Sequence, residues 1–140
     1  MDSDTDPAVV AHLDRLSDAC RAAPDDIAPQ VELWTAVASL DRWFCINRGT
    51  AEAPKPYAVA AANGAMLCIF SSAERAGVAA RQSGLVPEGE QVPLFAVPLP
   101  KAIDWAGSFA QSGVVGVVVD HPMLGAWTPL ANLAQLRPQA

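Results

Sequence analysis

The segment from Ala58 to Arg81 constrains the fold more than any other part of the chain. Its sequence, AVAAANGAMLCIFSSAERAGVAAR, contains two apolar runs separated by Asn63-Gly64. This pair favours a type I′ turn, in which both central residues have positive φ, and it therefore predicts a β-hairpin. Ser71 and Glu74 stand at the spacing of a capping box, which predicts a helix after the second strand. The segment thus predicts a strand, a turn, a strand and a helix in succession.

The sequence on either side adds further helices and strands. Asp6-Pro7 is typical of a helix start, and apolar spacing predicts a helix after it and a second helix at about 29–40. Strands are predicted at 42–48, 57–62, 65–70, 92–97 and 114–119, with later helices at about 101–111 and after Thr128-Pro129. The order ααβββαβαβα predicts an α/β (α+β) single domain, with a mixed β-sheet of about five strands and flanking helices.

The spacing of the apolar residues predicts which side of each element faces the core. Val114–Val119 is a continuous β-branched run, which is typical of a strand buried on both faces. The inward stripes of the helices are predicted to be Val9, Leu13, Leu16, Cys20 and Ala23 in the first, Leu33, Val37 and Leu40 in the second, and Leu130, Leu133 and Leu136 in the last.

The net charge of −6 lies entirely in residues 1–32, which hold eight acidic residues and two arginines. Residues 33–140 carry seven residues of each sign. Because the chain offers no basic surface to displace counterions from phosphates, we expect no nucleic-acid partner. An anionic membrane surface is disfavoured for the same reason. A protein partner or a homo-oligomer is compatible with this charge.

Three features favour a cytoplasmic location. The N-terminus, MDSDTD, is acidic where a signal peptide would be basic. No apolar run approaches the roughly 18 residues of a membrane span. Cys20, Cys45 and Cys68 form an odd, widely spaced set within apolar segments, which suits buried and reduced thiols.

Metal and cofactor chemistry finds little support in the sequence. His12 and His121 are 109 positions apart, and no Cys-x-x-Cys or His-x-x-x-His pair occurs. Neither of the common Gly-rich phosphate-binding motifs is present. We therefore expect no metal and no cofactor.

One group of polar residues is a candidate ligand site. Ser71 and Ser72 follow one predicted strand, and Asp120 and His121 follow another. If these strands are parallel neighbours, their carboxyl ends meet where open α/β sheets usually bind ligands. The helix start at Ser71 would offer free N–H groups to an anion. Alternatively, Ser71 only caps the helix, and Asp120-His121-Pro122 is only a turn.

An enzyme built on these residues would use Cys68 or a serine as nucleophile, with His121 as the base. However, Cys68 lies inside an apolar strand, and neither serine lies in a G-x-S-x-G elbow. We therefore expect no catalytic residues.

Two of the four tryptophans are candidates for partner binding. Trp43 alternates with apolar neighbours and is expected in the core. Trp105 lies beside the apolar stripe of its predicted helix, and Trp127 lies in a predicted loop. An exposed aromatic residue on a neutral surface is typical of a protein contact, whereas the alternative is that both rings fold back over the core.

Several motifs together resemble the SseB N-terminal domain family, small bacterial α/β domains named after a protein linked to enhanced serine sensitivity. The junction Phe70-Ser71-Ser72-x-Glu74 is similar to the family's "vFTSxE" pattern, with Ser for Thr. Asp120-His121-Pro122 stands where the family has "NP", with Asp for Asn and one inserted residue. The other segments that carry the resemblance are Leu33-Trp34, Trp43-Phe44, Ala65–Phe70 and Val114–Val119.

The resemblance spans roughly residues 30–137 and implies residues 7–140 as a single SseB N-terminal-like domain after an acidic tail of residues 1–6. Domains of this family have no agreed enzymatic activity and are usually regarded as accessory or interaction modules. The family's second, C-terminal domain has no counterpart in this sequence. We therefore expect a non-enzymatic cytoplasmic accessory domain that acts through protein–protein interaction or self-association. The alternative is a small-molecule or anion-binding domain with its site near Ser71 and His121.

Overall fold

A computed structural model of the chain describes residues 5–50, 52–61, 64–87, 89–99, 101–121 and 126–135. The helices are α1 (Pro7–Ala22), α2 (Ile27–Ala38), α3 (Ala73–Gln82), α4 (Lys101–Gly107) and α5 (Leu130–Ala134), with a 3₁₀ segment at Ser108–Ser112. The strands are β1 (Arg42–Ile46), β2 (Ala58–Ala61), β3 (Gly64–Ile69), β4 (Leu94–Pro98), β5 (Val114–Val119) and β6 (Ala126–Pro129).

The strands form two sheets that are joined by backbone hydrogen bonds, at Phe44 and through Tyr57. β1 and β4 pair antiparallel, and a four-stranded mixed sheet has the order β2-β3-β5-β6, with β3 and β5 parallel. Phe44 on β1 and Phe70 at the end of β3 join the sheets, because each backbone N–H donates to the other's carbonyl, at 3.0 and 2.8 Å. The predicted α+β single domain is confirmed, and the described residues form six strands in two sheets rather than about five in one mixed sheet.

The central strands β3 and β5 separate two apolar layers. One face of the sheet carries Leu67, Ile69, Val117 and Val119 and packs against side chains of α1, α2, α4 and α5. The other face carries Met66, Cys68 and Val118 and packs against small residues of α3. Layers on both faces explain why β5 is apolar along its whole length, as predicted for a strand buried on both sides.

The first two helices begin at residues suited to their caps. Asp6 caps α1 by accepting from the Ala8 N–H at 2.9 Å, and Pro7 takes the first helical position, as predicted. Asp26 caps α2 in the same way, so α2 begins two residues earlier than predicted. In α1, the predicted inward position is confirmed for Leu13, which is buried. The prediction is wrong for Val9, which is 40% exposed. Val9 lies at the first turn of α1, beyond the edge of the core.

The C-terminal segment differs from the prediction. Thr128 does not cap a helix but is buried within β6, where it pairs with Val117 of β5. α5 begins after Pro129 without a side-chain cap. A four-residue edge strand that ends in proline has too few positions for a recognisable alternation, so only its pairing with β5 reveals it. The predicted Asn63 turn position and the inward position of Leu136 lie outside the described residues.

We predict that Gly116→Ala destabilises the fold. A Cβ atom at Gly116 would lie 2.5 Å from the backbone carbonyl oxygen of Thr128, so β6 would have to move away from β5. We expect a loss of about 1–3 kcal/mol in the free energy of unfolding, measured by urea denaturation. Gly107→Ala is the matched control, because a Cβ there meets nothing within 4 Å and alanine favours the end of α4. Equal stability of the two variants would contradict this account of the β5–β6 contact.

Candidate functional site

The carboxyl ends of β3 and β5 lie side by side, as the ligand-site hypothesis requires. The two strands are parallel, and Ile69 stands opposite Val119 in their register. The backbone N–H of Asp120 continues the pairing by donating to the carbonyl of Ile69 at 2.9 Å. This arrangement brings Ser71, after β3, beside Asp120, after β5.

Asp120 is a buried carboxylate held by Ser71. One carboxylate oxygen, Oδ1, accepts the backbone N–H of Ser71 at 2.8 Å, and Oδ2 accepts the Ser71 hydroxyl at 2.6 Å. Asp120 is only 1% exposed and has φ of +52°, a left-handed conformation that aspartate adopts more readily than most residues. The turn therefore directs the carboxylate back onto the start of α3.

Arg75 completes the group and links it to the first helix. Its Nη1 donates to Asp120 Oδ2 at 3.0 Å, and its Nη2 donates to Asp14 Oδ2 on α1 at 2.7 Å. The hydrogen bond to Asp14 raises the pKa of Arg75, and the nearby Asp120 adds to this rise while burial opposes it. Arg75 is not among the predicted site residues, although its position four residues after Ser71 places it on the first turn of the helix.

Ser72, and not Ser71, caps α3. The Ser72 hydroxyl accepts the backbone N–H of Arg75 at 3.1 Å, whereas the Ser71 hydroxyl is committed to Asp120. The predicted capping box of Ser71 and Glu74 is therefore wrong by one residue. In addition, the Thr5 hydroxyl donates to the Ser71 carbonyl, which brings the residues before α1 against the same junction. We call Ser71, Arg75, Asp14 and Asp120 the Asp120 network.

The position where an external anion would bind is filled by the protein's own carboxylate. A backbone N–H at a helix start, a hydroxyl and a guanidinium are the donors that bind phosphate or carboxylate ligands. Here all three donate to Asp120, which is a buried part of the chain. His121 is half-buried and takes no part in these bonds. The geometry thus favours a structural role for Ser71, Ser72 and Asp120.

Cys68 is poorly suited to act as a nucleophile. Its side chain is fully buried in the layer beneath α3. Burial raises its pKa from 9.0 to about 12, so the thiol is protonated at neutral pH. Burial raises the pKa of Cys45 to about 12 as well, with a smaller contribution from Cys68.

The two candidate tryptophans have different environments. Trp105 on α4 is half-buried and makes edge-on contacts with Phe95 and Phe109, at ring-centre distances of 5.9 and 5.2 Å. Trp127 lies on β6 rather than in a loop, and it is 58% exposed. The predicted core position of Trp43 is confirmed, and its indole N–H donates to the Val37 carbonyl at 2.9 Å.

Helix α2 also exposes an apolar surface that was not predicted. Ile27 is 72% exposed and Val31 is 52% exposed, one helical turn apart. The available signal was composition, because Glu32 is the one charged residue in IAPQVELWTAVA. A helix this apolar leaves hydrophobic side chains outside the core stripe.

The described residues include no group of three or more His, Cys, Asp or Glu side chains able to hold a metal ion. None of the helices within the described ranges has both the length and the apolar character required to cross a membrane.

Comparison with known proteins adds no family to these findings. No model of a known protein family matches the chain, and no curated protein sequence matches it. The resemblance to SseB N-terminal domains therefore stays a prediction from the motifs.

We predict that the Asp120 network contributes to stability mainly through Asp120. Asp120→Ala leaves the donors of Ser71 and Arg75 without their buried acceptor, so we expect a loss of about 3–5 kcal/mol in the free energy of unfolding. Asp14→Ala removes a partner that is 40% exposed, and we expect a loss of about 1 kcal/mol or less. Chemical denaturation of both variants gives the comparison.

Asp120→Asn serves as the control for the turn, because asparagine also tolerates the left-handed conformation but carries no charge. We expect it to fall between the wild type and Asp120→Ala. If Asp14→Ala lowers the free energy of unfolding as much as Asp120→Ala does, the contribution of the network to stability does not depend mainly on the buried Asp120 carboxylate.

We predict that the buried thiols make the protein alkali-sensitive. Below pH 9 the thiols are protonated in both states, so their contribution to stability is fully present. As the pH rises from about 9 to 12, the unfolded thiols ionise while Cys45 and Cys68 stay protonated in the fold. The free energy of unfolding should then fall by up to about 1.4 kcal/mol per pH unit for each thiol.

The measurement is urea denaturation between pH 8 and pH 11 on the wild type and on the Cys45→Ala, Cys68→Ala double variant. The variant is expected to lose stability less steeply with pH, although it is less stable at pH 8. Identical slopes in the two proteins would contradict the assignment to these thiols.

Proposed function

We propose that this chain is a non-enzymatic accessory domain of the SseB N-terminal kind, which acts through protein–protein interaction or self-association. The observation that carries the proposal is the exposure of Trp127, 58% exposed on the edge strand β6. Tryptophan has the largest apolar side chain and is enriched among the residues that dominate binding energies at protein interfaces. An indole on a sheet edge that little else covers supports a contact with another chain.

The surroundings of Trp127 support the same proposal. It stands opposite Val118 in the β5–β6 register, so both side chains project from the sheet face on which α3 lies. Val118 is buried there, whereas Trp127 extends beyond the packed layer. A partner that covers Trp127 would therefore extend an existing apolar layer.

The polar residues give less support to the alternative, a small-molecule or anion site near Ser71 and His121. The donors at the strand ends already bind Asp120, and the thiol of Cys68 is buried and protonated at neutral pH. We therefore propose no catalytic residues. The free thiols Cys20, Cys45 and Cys68 are consistent with the proposed cytoplasmic location.

Site-specific photo-crosslinking in the native host tests this function. The crosslinking amino acid p-benzoylphenylalanine replaces Trp127 in one variant and Gln82 in the other. Gln82 is the matched control, because it is exposed at the end of α3, away from β6. We expect adducts from position 127 and none from position 82. Trp105 is unsuitable for replacement, since its contacts with Phe95 and Phe109 are part of the packing.

The mass of the adduct separates the two forms of the proposal. An adduct of twice the chain mass indicates self-association, and any other defined mass indicates a partner. Equal adduct patterns from both positions, or no adduct from position 127, would overturn the role of Trp127. Sedimentation of the purified chain over a range of concentrations provides an independent measure of self-association.

A further inference from the structure

Helix α2 carries apolar side chains on two different faces. Leu33, Trp34 and Val37 are buried in the core, as an amphipathic helix requires. Ile27 and Val31 project elsewhere and are 72% and 52% exposed. Two apolar residues one turn apart on an outward face bury little area in the fold and leave an apolar surface that a partner can cover.

Val31 borders a groove along the seam between α1 and α2. One depression, of about 790 Å³, has Val9 and Leu40 in its lining. A second, of about 330 Å³, is lined by Leu16 and Val31. Both include His12 and Ala36, so they meet in the middle of the seam. We call this surface the α1–α2 groove.

The dimensions of the α1–α2 groove fit a short helix. Along α1 the lining runs from Asp6 to Leu16, a span of 10 residues that corresponds to about 15 Å along a helix axis. A helix of about three turns has this length. Helices that bind in such grooves place apolar side chains at i, i+3, i+4 and i+7 against the apolar surface.

The charge around the groove specifies the partner further. Asp6 and Asp41 lie in the lining of the larger depression and Glu32 in that of the smaller, and all three are exposed. Residues 1–32 hold the whole net charge of −6. Arg42 also borders the groove, but its guanidinium lies over the Phe44 ring, 5.0 Å from the ring centre. A second copy of the chain would bring two acidic surfaces together, which disfavours self-association here.

We propose that the α1–α2 groove binds an amphipathic helix of another protein whose apolar face is flanked by lysine or arginine. The apolar side chains of that helix would cover Val9, Leu16 and Val31, and its basic residues would face the acidic rim. The inference rests on the proposed function in assuming that the domain acts through protein contacts. It concerns a surface distinct from Trp127.

Fluorescence anisotropy with defined peptides tests the proposal on the full chain. The probe is the fluorescein-labelled peptide LKKLLKLLKKLLKL, in which leucine occupies one helical face and lysine the other. The matched peptide replaces every lysine with glutamate. We expect saturable binding of the lysine peptide, weakened by added salt, and no binding of the glutamate peptide.

A substitution that adds a negative charge distinguishes apolar binding in the groove from electrostatic attraction alone. Val31→Glu makes the surface more acidic, so electrostatic attraction alone would strengthen binding of the lysine peptide. Loss of the apolar contact should instead weaken binding about tenfold. Gln82→Glu adds the same charge on α3 and should leave the affinity unchanged. Val9 lines the larger depression and is 40% exposed, so Val9→Glu provides a second variant if Val31→Glu does not fold.

The outcomes distinguish this inference from the proposed function. Unchanged or stronger binding to Val31→Glu, or no binding of the lysine peptide to the wild type, would overturn the groove as a helix site. Crosslinking from position 127 of the wild type tests the proposed function separately. If Val31→Glu also abolishes the adducts at position 127, the two surfaces bind the same partner, and the groove proposal stands.

Discussion

The arrangement of α1 and α3 at the strand ends depends on the hydrogen bonds made by the carboxylate of Asp120. This carboxylate binds the start of α3 through Ser71, and through Arg75 it is connected to Asp14 on α1. Three separate parts of the chain therefore meet at one buried charge. A buried carboxylate is costly unless its oxygens are well bonded, and here both oxygens have acceptor roles. The network fixes how α1 lies against the strand ends, and α1 in turn forms one wall of the groove.

The bonds to Asp120 also explain why these polar residues suggest a ligand site in the sequence but favour a structural role in the fold. Donors collected at parallel strand ends are the usual means of binding an anion. In this protein the anion is the side chain of Asp120, which follows the neighbouring strand β5. The donors therefore stabilise the fold. Among the described residues, the exposed large apolar side chains lie elsewhere, at Trp127, at Val9 and on α2.

Local sequence signals predicted those elements whose physical cause is local. Asp6-Pro7 supplies both a cap and a first-turn residue, and α1 begins there. The β-branched run of β5 has no other stable position than between two layers. By contrast, Ser71 and Ser72 are equivalent as caps in the sequence, and Asp120, 49 positions away, decides between them. β6 could not be predicted, because it is defined only by its pairing with β5. The exposure of Ile27 and Val31 could not be predicted either, because it depends on which face of α2 packs on the core.

The parallel pairing of β3 with β5 also bears on how the chain reaches this structure. Ile69 and Val119 are paired across 50 positions, and Arg42 and Pro98 across 56, so both sheets require closure of long loops. Such contacts form slowly, because their entropic cost precedes their energetic gain. The β2–β3 hairpin and the α1–α2 pair are local and can form early. The Asp120 carboxylate lies within reach of Ser71 when β5 is paired with β3, so the buried charge and the parallel pairing stabilise one another.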